Sequence, residues 1–272
     1  MVRAVNLITL TTDFGLRDWF VGTMKGVLLD LNPKATVVDL AHEIPAGDLN
    51  AAAFALAAGY RYFPKGTVHV AVVDPGVGSK RKAIAVQTAN YIFVGPDNGV
   101  LSWALAREQV KACHSLENRA YFLSSVSRTF HGRDIFAPVA AHLSRGLPIR
   151  KLGPRLMDFV KLEWPEVRYE PGSVRGEIVY IDRFGNGLTN LDAKAVGSLG
   201  EGEFQVFLRG RRVCSVLDCY ADAAPGMPVA VFGSSGWLEI AINEGDASRR
   251  FWLRTGDAVI VRHSRSKTRK NS

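Results

Sequence analysis

The feature that most constrains this chain is a change of period near residue 164. Before it, short apolar runs alternate with helical stretches; after it, helical periodicity stops and only short strands remain. "NLITLTTD" reads as a buried strand ending at Thr12–Asp13, followed by the helix "WFVGTMKGVLLDL", with Asp18 as its cap and Asn32-Pro33 as its stop. "ATVVDL" is a second strand. The alanine-rich "DLNAAAFALAAGYRYF" is a second helix starting at Asp48. "TVHVAVVD" is apolar enough to be covered on both faces, and "KAIAVQTANYIFVG" reads as a hairpin. "VLSWALARE" and "DIFAPVAAHLSRG" add helices, the latter with a kink expected at Pro138. Such alternation predicts an α/β domain over 1–163, layered around a mostly parallel sheet. The Pro-containing, charged stretch 164–172 reads as a linker. "GEIVYID", "FQVFLRG", "MPVAVFG", "WLEIAI" and "DAVIVRH" predict a small β-barrel or sandwich over 173–262, and residues 263–272 a disordered basic tail.

Composition narrows the function classes. Of the 272 residues, 47% are hydrophobic and 22% charged, enough for a core that needs no disulfide or metal. Cys113, Cys214 and Cys219 form no metal-binding spacing and are expected as buried, reduced thiols, so the chain reads as cytoplasmic. No window approaches the ~20 apolar residues of a membrane span. The net charge of +8 is concentrated at the end: without Arg262, Arg265, Lys267, Arg269 and Lys270 about +3 remains. A basic tail without interleaved aromatics argues against nucleic acid as the partner.

Ligands of open α/β sheets bind at the C-terminal ends of the strands. Three polar clusters fall there: Asp13 in "TTDFG", Asp74 in "VVDPGVGSKR" and Asp97-Asn98-Gly99. Asp13 suits a ribose diol, but its position alone favours a turn in which the carboxylate bonds its own backbone. The glycine-rich turn after Asp74 lacks the spacing of a phosphate loop. Instead it brings Asp74 and Arg81 back toward one place, either as a structural ion pair or as a carboxylate held ionised beside a fixed cation. In "TFHGRDIF", His131 stands before a helix, where positive potential disfavours its protonation and suits a base or water-orienting group, the more common alternative being a capping or packing histidine. His42 and His142 read as structural. In the β half, Asp182, Phe184, Asn186 and Asn190 cluster around one glycine turn, and Ser234, Ser235, Trp237 and Glu239 lie around another.

Taken in order along the chain, "TLTTDFG", "VVDL" with "HEIP", "VVDPGVGS" with Arg81, "VGPDNG", "TFHGRDIF", "IDRFGN" and "SSGWLEIA" resemble the S-adenosyl-L-methionine (SAM) hydroxide adenosyltransferases, the SAM hydrolases. Their superfamily also holds the SAM-dependent fluorinase and chlorinase. The resemblance implies an N-terminal α/β domain joined to a C-terminal β-barrel. It further implies a homotrimer binding SAM between the N-terminal domain of one subunit and the C-terminal domain of its neighbour. The implied reaction is SAM plus water giving adenosine and L-methionine, with no metal and no cofactor. Asp74, Arg81 and His131 match the family's water-handling trio, the proton acceptor being either Asp74 or His131. Asp13 matches its ribose ligand. Asp182, Phe184 and Asn186 match its contacts to methionine and adenine, with Ser234 and Glu239 as further substrate-binding positions. The halogenases carry Tyr at the position of Asp74 and an insertion after the strand that holds Arg81. The fluorinase has Ser at the position of Gly132, and Ser235 and Ile242 fall where the halogenases place arginines. Two readings stand beside hydrolysis: a halide-using SAM transferase, and a SAM- or adenosine-binding module without turnover.

Overall fold

The computed structural model describes residues 5–264. The chain divides into two compact units, Met1–Glu163 and Trp164–Ser272. The first contains β1 (Leu7–Thr12), α1 (Phe20–Leu31), β2 (Thr36–Ala41), α2 (Leu49–Gly59), β3 (Val68–Val72), β4 (Ala83–Thr88), β5 (Ile92–Pro96), α3 (Ser102–Leu105), β6 (Val110–Ser115), α4 (Ala137–Ser144) and β7 (Arg155–Leu156). Asp48 caps α2 as expected, its carboxylate accepting from Ala51 N at 2.9 Å. Asp18 does not cap α1: that helix starts one residue later than an Asp18 cap requires, with Trp19 at the cap and no side-chain bond there.

The sheet order is β2-β1-β3-β5-β4-β6-β7. Pairing is parallel among β2, β1, β3 and β5, and antiparallel from β5 through β4 and β6 to β7. The sheet is therefore mixed, with its parallel half confined to one side. The cause is local: only residues 89–91 separate β4 from β5, far too few for the crossover that parallel neighbours require. The interior strand β3 is buried along its whole length, in keeping with layers on both faces. Its His69 is a core residue, with Nδ1 2.7 Å from Thr9 Oγ1 and the ring among Tyr60, Tyr91 and Phe93. Burial pushes its pKa down to about 3, so the ring is neutral.

The helical run around Pro138 is irregular just before the proline. The chain runs through a π-helical turn at Gly132–Phe136 and begins regular α-helix at Ala137, with Pro138 in the first turn where its missing N–H costs nothing.

The second unit contains β8 (Arg168–Glu170), β9 (Ser173–Ile181), β10 (Gly187–Asp192), α5 (Ala193–Gly197), β11 (Phe204–Leu208), β12 (Arg211–Ser215), β13 (Pro228–Phe232), β14 (Trp237–Ile242), α6 (Ala247–Phe251) and β15 (Ala258–His263). The order β12-β11-β15-β9-β10-β14-β13 runs almost full circle, because a bridge between Val216 and Ala230 joins its two ends into a nearly closed barrel. Closure removes the exposed edges that an open sheet would leave. Strand β8 pairs with β9 and lies within the stretch 164–172 expected as a linker. Cys113 and Cys214 are buried, with their thiols pushed up to about 11 and about 12 by desolvation, whereas Cys219 is exposed, against expectation. Among the described residues no helix is long and apolar enough to cross a membrane. The basic tail lies, from residue 265 onward, outside the described residues.

Candidate active site

Residues Thr12 of β1 and Val72 of β3 are register partners, so Asp13 and Asp74 emerge side by side from the C-terminal edge of the parallel half-sheet. The next strand in sequence, β4, is not the next in space: β5 lies between β3 and β4. Loop 73–82 must therefore arch over the end of β5. Asn98 and Asp97 hold both its feet: Asn98 Nδ2 donates to Val73 O at 2.9 Å and Asp97 N to Lys82 O at 2.9 Å. The Asp97-Asn98-Gly99 cluster thus shapes the loop and does not line the cleft described below. Within the arch, Val77 N bonds Asp74 O at 3.1 Å and Gly78 takes φ +77°. A β-carbon on Gly78 would run into the carbonyl oxygen of Arg128, so only glycine lets this loop lie against the segment leading to His131.

That segment is pinned from the other side. Asp134, fully buried, accepts from Ser127 N at 2.8 Å and from Arg133 Nε at 2.6 Å. His131 is thereby brought to Arg81, 50 residues earlier in the chain. Arg81 Nε lies 3.0 Å from each oxygen of the Asp74 carboxylate, and its Nη2 touches both Asp74 Oδ2 and, at 2.8 Å, His131 Nδ1. The Phe136 ring lies 5.5 Å from the guanidinium carbon. The side chains of Arg81 and Asp74 are only 11% and 5% exposed, so the pair is desolvated and not a solvated surface bridge.

A guanidinium can only donate, so His131 Nδ1 must accept and the ring must be neutral with its proton on Nε2. The electrostatics agree. Desolvation, and then the charge of Arg81, lower the His131 pKa, against the opposing pull of Asp74, Asp134 and a hydrogen bond to the Ser127 backbone.

Asp74 and His131 border a cleft of about 490 Å³ whose walls also include Asp13, Phe14, Phe20 and Phe130. Arg81 is not in its wall; it stands behind Asp74 and His131 and ties them together. Phe14, Phe20 and Phe130 pack on one another at centroid distances of 5.2–5.7 Å and form its apolar side. Asp13 does not spend its carboxylate on its own turn: Oδ2 accepts from Gly47 N at 2.8 Å, Gly47 being another residue of the cleft wall.

The other expected residues gather in the second unit. Asp182, Phe184, Asn186, Ser234 and Glu239 all line one cavity of about 860 Å³. Asp182 organises its turn, accepting from Phe184 N at 2.9 Å, Asn186 N at 2.8 Å and Asn186 Nδ2 at 3.0 Å, while the Phe184 ring projects 74% exposed. Glu239 is buried and accepts from the Tyr220 hydroxyl at 2.6 Å. Burial raises its pKa, the Tyr220 bond lowers it, and the charge of Asp182 raises it again, for a net rise. Asp218 and Glu244 also line this cavity, and no lysine or arginine among the described residues does. An acidic cavity in a chain of net charge +8 suits a cationic ligand. Asn190 instead holds backbone, at Glu177 N and Pro165 O, and Trp237 packs on Trp164. Sequence reading missed Tyr220 and Phe136, since neither belongs to a polar cluster; only packing reveals them.

Comparison with known proteins covers both units. The model of the SAM hydroxide adenosyltransferase N-terminal domain matches residues 8–153, and that of the C-terminal domain matches residues 176–260. An (R)-S-adenosyl-L-methionine hydrolase of Salinispora tropica is 40% identical over 257 residues, covering 93% of this chain and 97% of the relative. The (R)-S-adenosyl-L-methionine hydrolase of Thermus thermophilus is 40% identical over 255 residues, covering 91% and 96%. A fluorinase of Nocardia brasiliensis is more distant, at 27% over 290 residues, covering 94% and 96%. A crystal structure of a conserved protein from Thermotoga maritima superposes with a TM-score of 0.90 at 36% identity, over 94% of this chain and 100% of that one. With both of its units matched in order, the chain belongs to the SAM hydroxide adenosyltransferase family.

Proposed function

We propose that this protein hydrolyses SAM to adenosine and L-methionine by attack of water on the ribose C5′. The observation that carries the reading is the desolvated Asp74–Arg81–His131 line bordering a cleft that also holds Asp13. SAM is a sulfonium, and its leaving group is a neutral thioether, so the departing sulfur needs neither a general acid nor a Lewis acid. The reading accordingly calls for no metal and no cofactor. The task left to the protein is to align one water with the C5′–S bond and receive its proton. The balance is SAM cation plus water giving adenosine, methionine and one proton.

In this mechanism Asp74 receives the proton. Both its oxygens border Arg81, yet a carboxylate keeps lone pairs beyond those contacts. Arg81 fixes the carboxylate from behind the cleft wall, and neutral His131 orients the water. Asp13 binds the ribose hydroxyls. The acidic cavity of the second unit, with Asp182, Phe184, Asn186, Ser234 and Glu239, binds the methionine and adenine ends of the cation. As the family resemblance implies, the working form is a cytoplasmic homotrimer in which neighbouring subunits each supply part of one site. A halide nucleophile fits less well: placed at Asp74 it would sit against a buried carboxylate, with no counter-charge left over once Arg81 is paired.

The test is turnover of SAM in ¹⁸O-water with chloride present. The expected product is adenosine labelled at its 5′ oxygen; 5′-chloro-adenosine or unchanged SAM overturns the reading. A second expectation concerns pH. The active form needs His131 neutral, and its pKa is depressed, so activity persists below pH ~6.5 and fails on further acidification. An acidic limb of kcat/KM centred above 6.5 would contradict this assignment.

A further inference from the structure

Asp13 is held by a set of bonds that converge on one neighbouring residue, His42. The ring of His42 is buried, and its Nδ1 lies 2.8 Å from Thr12 Oγ1. That hydroxyl oxygen in turn accepts from Phe14 N at 3.3 Å, spanning Asp13. The backbone carbonyl of His42 accepts from Gly15 N at 2.8 Å. On its far side, His42 Nε2 lies 2.9 Å from Asp39 Oδ1, close but without the geometry of a directed hydrogen bond. Asp39 is itself paired with Lys25 at 2.6 Å. The residues before and after Asp13 are therefore fixed by the side chain and backbone of His42, while Gly47 N holds one carboxylate oxygen at 2.8 Å. Among the described residues only Oδ2 of the Asp13 carboxylate accepts a hydrogen bond, which leaves Oδ1 for a ligand.

From this we infer that His42, backed by Asp39, is a positioning residue: it sets the direction of the Asp13 carboxylate and so the affinity for the nucleoside, without touching substrate. The inference rests on the SAM hydrolase reading. A two-oxygen contact to a diol tolerates little rotation of the carboxylate, and a turn residue with one bound oxygen pivots unless its backbone is tied on both sides. His42 supplies both ties, one through Thr12 and one through Gly15.

The experiment compares His42→Leu and His42→Gln, each alone and combined with Asp13→Ala. It measures kcat and KM for SAM and the Kd for adenosine by calorimetry. His42→Leu is expected to raise KM and the adenosine Kd by about tenfold or more, with kcat within about threefold of the parent. Gln keeps an acceptor and a donor at similar spacing and should recover most of the loss. In the Asp13→Ala background His42→Leu should add nothing, because the group it positions is gone. An equal penalty in both backgrounds, no recovery with Gln, or a fall in kcat at unchanged KM would each overturn the inference. Thr12→Val, which removes a single hydroxyl, gives the same readout if His42→Leu does not fold. A parent protein that neither hydrolyses SAM nor binds adenosine defeats the parent reading instead, so the two failures are distinct.

Discussion

Replacing Asp74 with alanine is expected to lower kcat by about three orders of magnitude while SAM still binds with nearly its original affinity. Loss of a positioned proton acceptor removes about 10²–10⁴ in rate. Here the loss compounds, because Asp74 also anchors Arg81, and Arg81 anchors His131. Without the carboxylate a desolvated guanidinium stands unpaired and turns to water, and His131 loses its donor. Asn at this position is expected to do little better: its amide has one acceptor oxygen and presents N–H groups to a guanidinium that can only donate. The check is single-turnover kinetics beside calorimetric binding of SAM. A kcat within tenfold of the parent would show that the carboxylate is a structural ion-pair partner and no more.

Phe136→Ala is expected to have the largest effect on stability. The ring is fully buried in the core of the first unit and lies against the Arg81 guanidinium. Truncating such a side chain costs about 3–5 kcal/mol, from lost transfer energy plus the cavity left behind. For a unit of this size that corresponds to a fall of roughly 10 °C in its melting temperature. Phe136→Leu, which retains most of the volume, should recover much of the stability without restoring the aromatic surface beside Arg81. Differential scanning calorimetry separates the two variants. A shift under ~3 °C for Phe136→Ala would mean that the site collapses without a cavity.

The local signals of the chain were legible where one physical cause dominates. Asp48 caps its helix because its carboxylate meets an unsatisfied N–H three residues on, whatever the rest of the fold does. Strands such as β3 announce themselves by a run of apolar residues interrupted only at His69. Strand β10 did not, because Gly187, Asn190 and Asp192 make it read as a loop. Its buried Thr189 and Asn190 are paid for by bonds to Leu238 O and Pro165 O, which exist only after the barrel forms. Strand β12 begins with two exposed arginines and lacks a strand's alternation for the same kind of reason: its pairing with β11 supplies what its side chains do not. The π-helical turn after His131 also escaped prediction, since it is fixed by the buried Asp134 bonding back to Ser127.

Sequence alone determined the two-part organisation and placed Asp13 and Asp74 at strand ends, because helix and strand periodicities and turn residues act over a few positions at a time. The meeting of Asp74, Arg81 and His131 was decided only by the tertiary structure, as was the grip of His42 on the Asp13 turn. The physical reason for the grip of His42 is the direct parallel pairing of β1 with β2, and for the meeting at Asp74 it is the insertion of β5 between β3 and β4. It forces loop 73–82 into an arch, returns Arg81 to the edge it left at Asp74, and lays Gly78 against the segment that carries His131. Contacts between residues dozens of positions apart depend on that strand order, which no local pattern encodes.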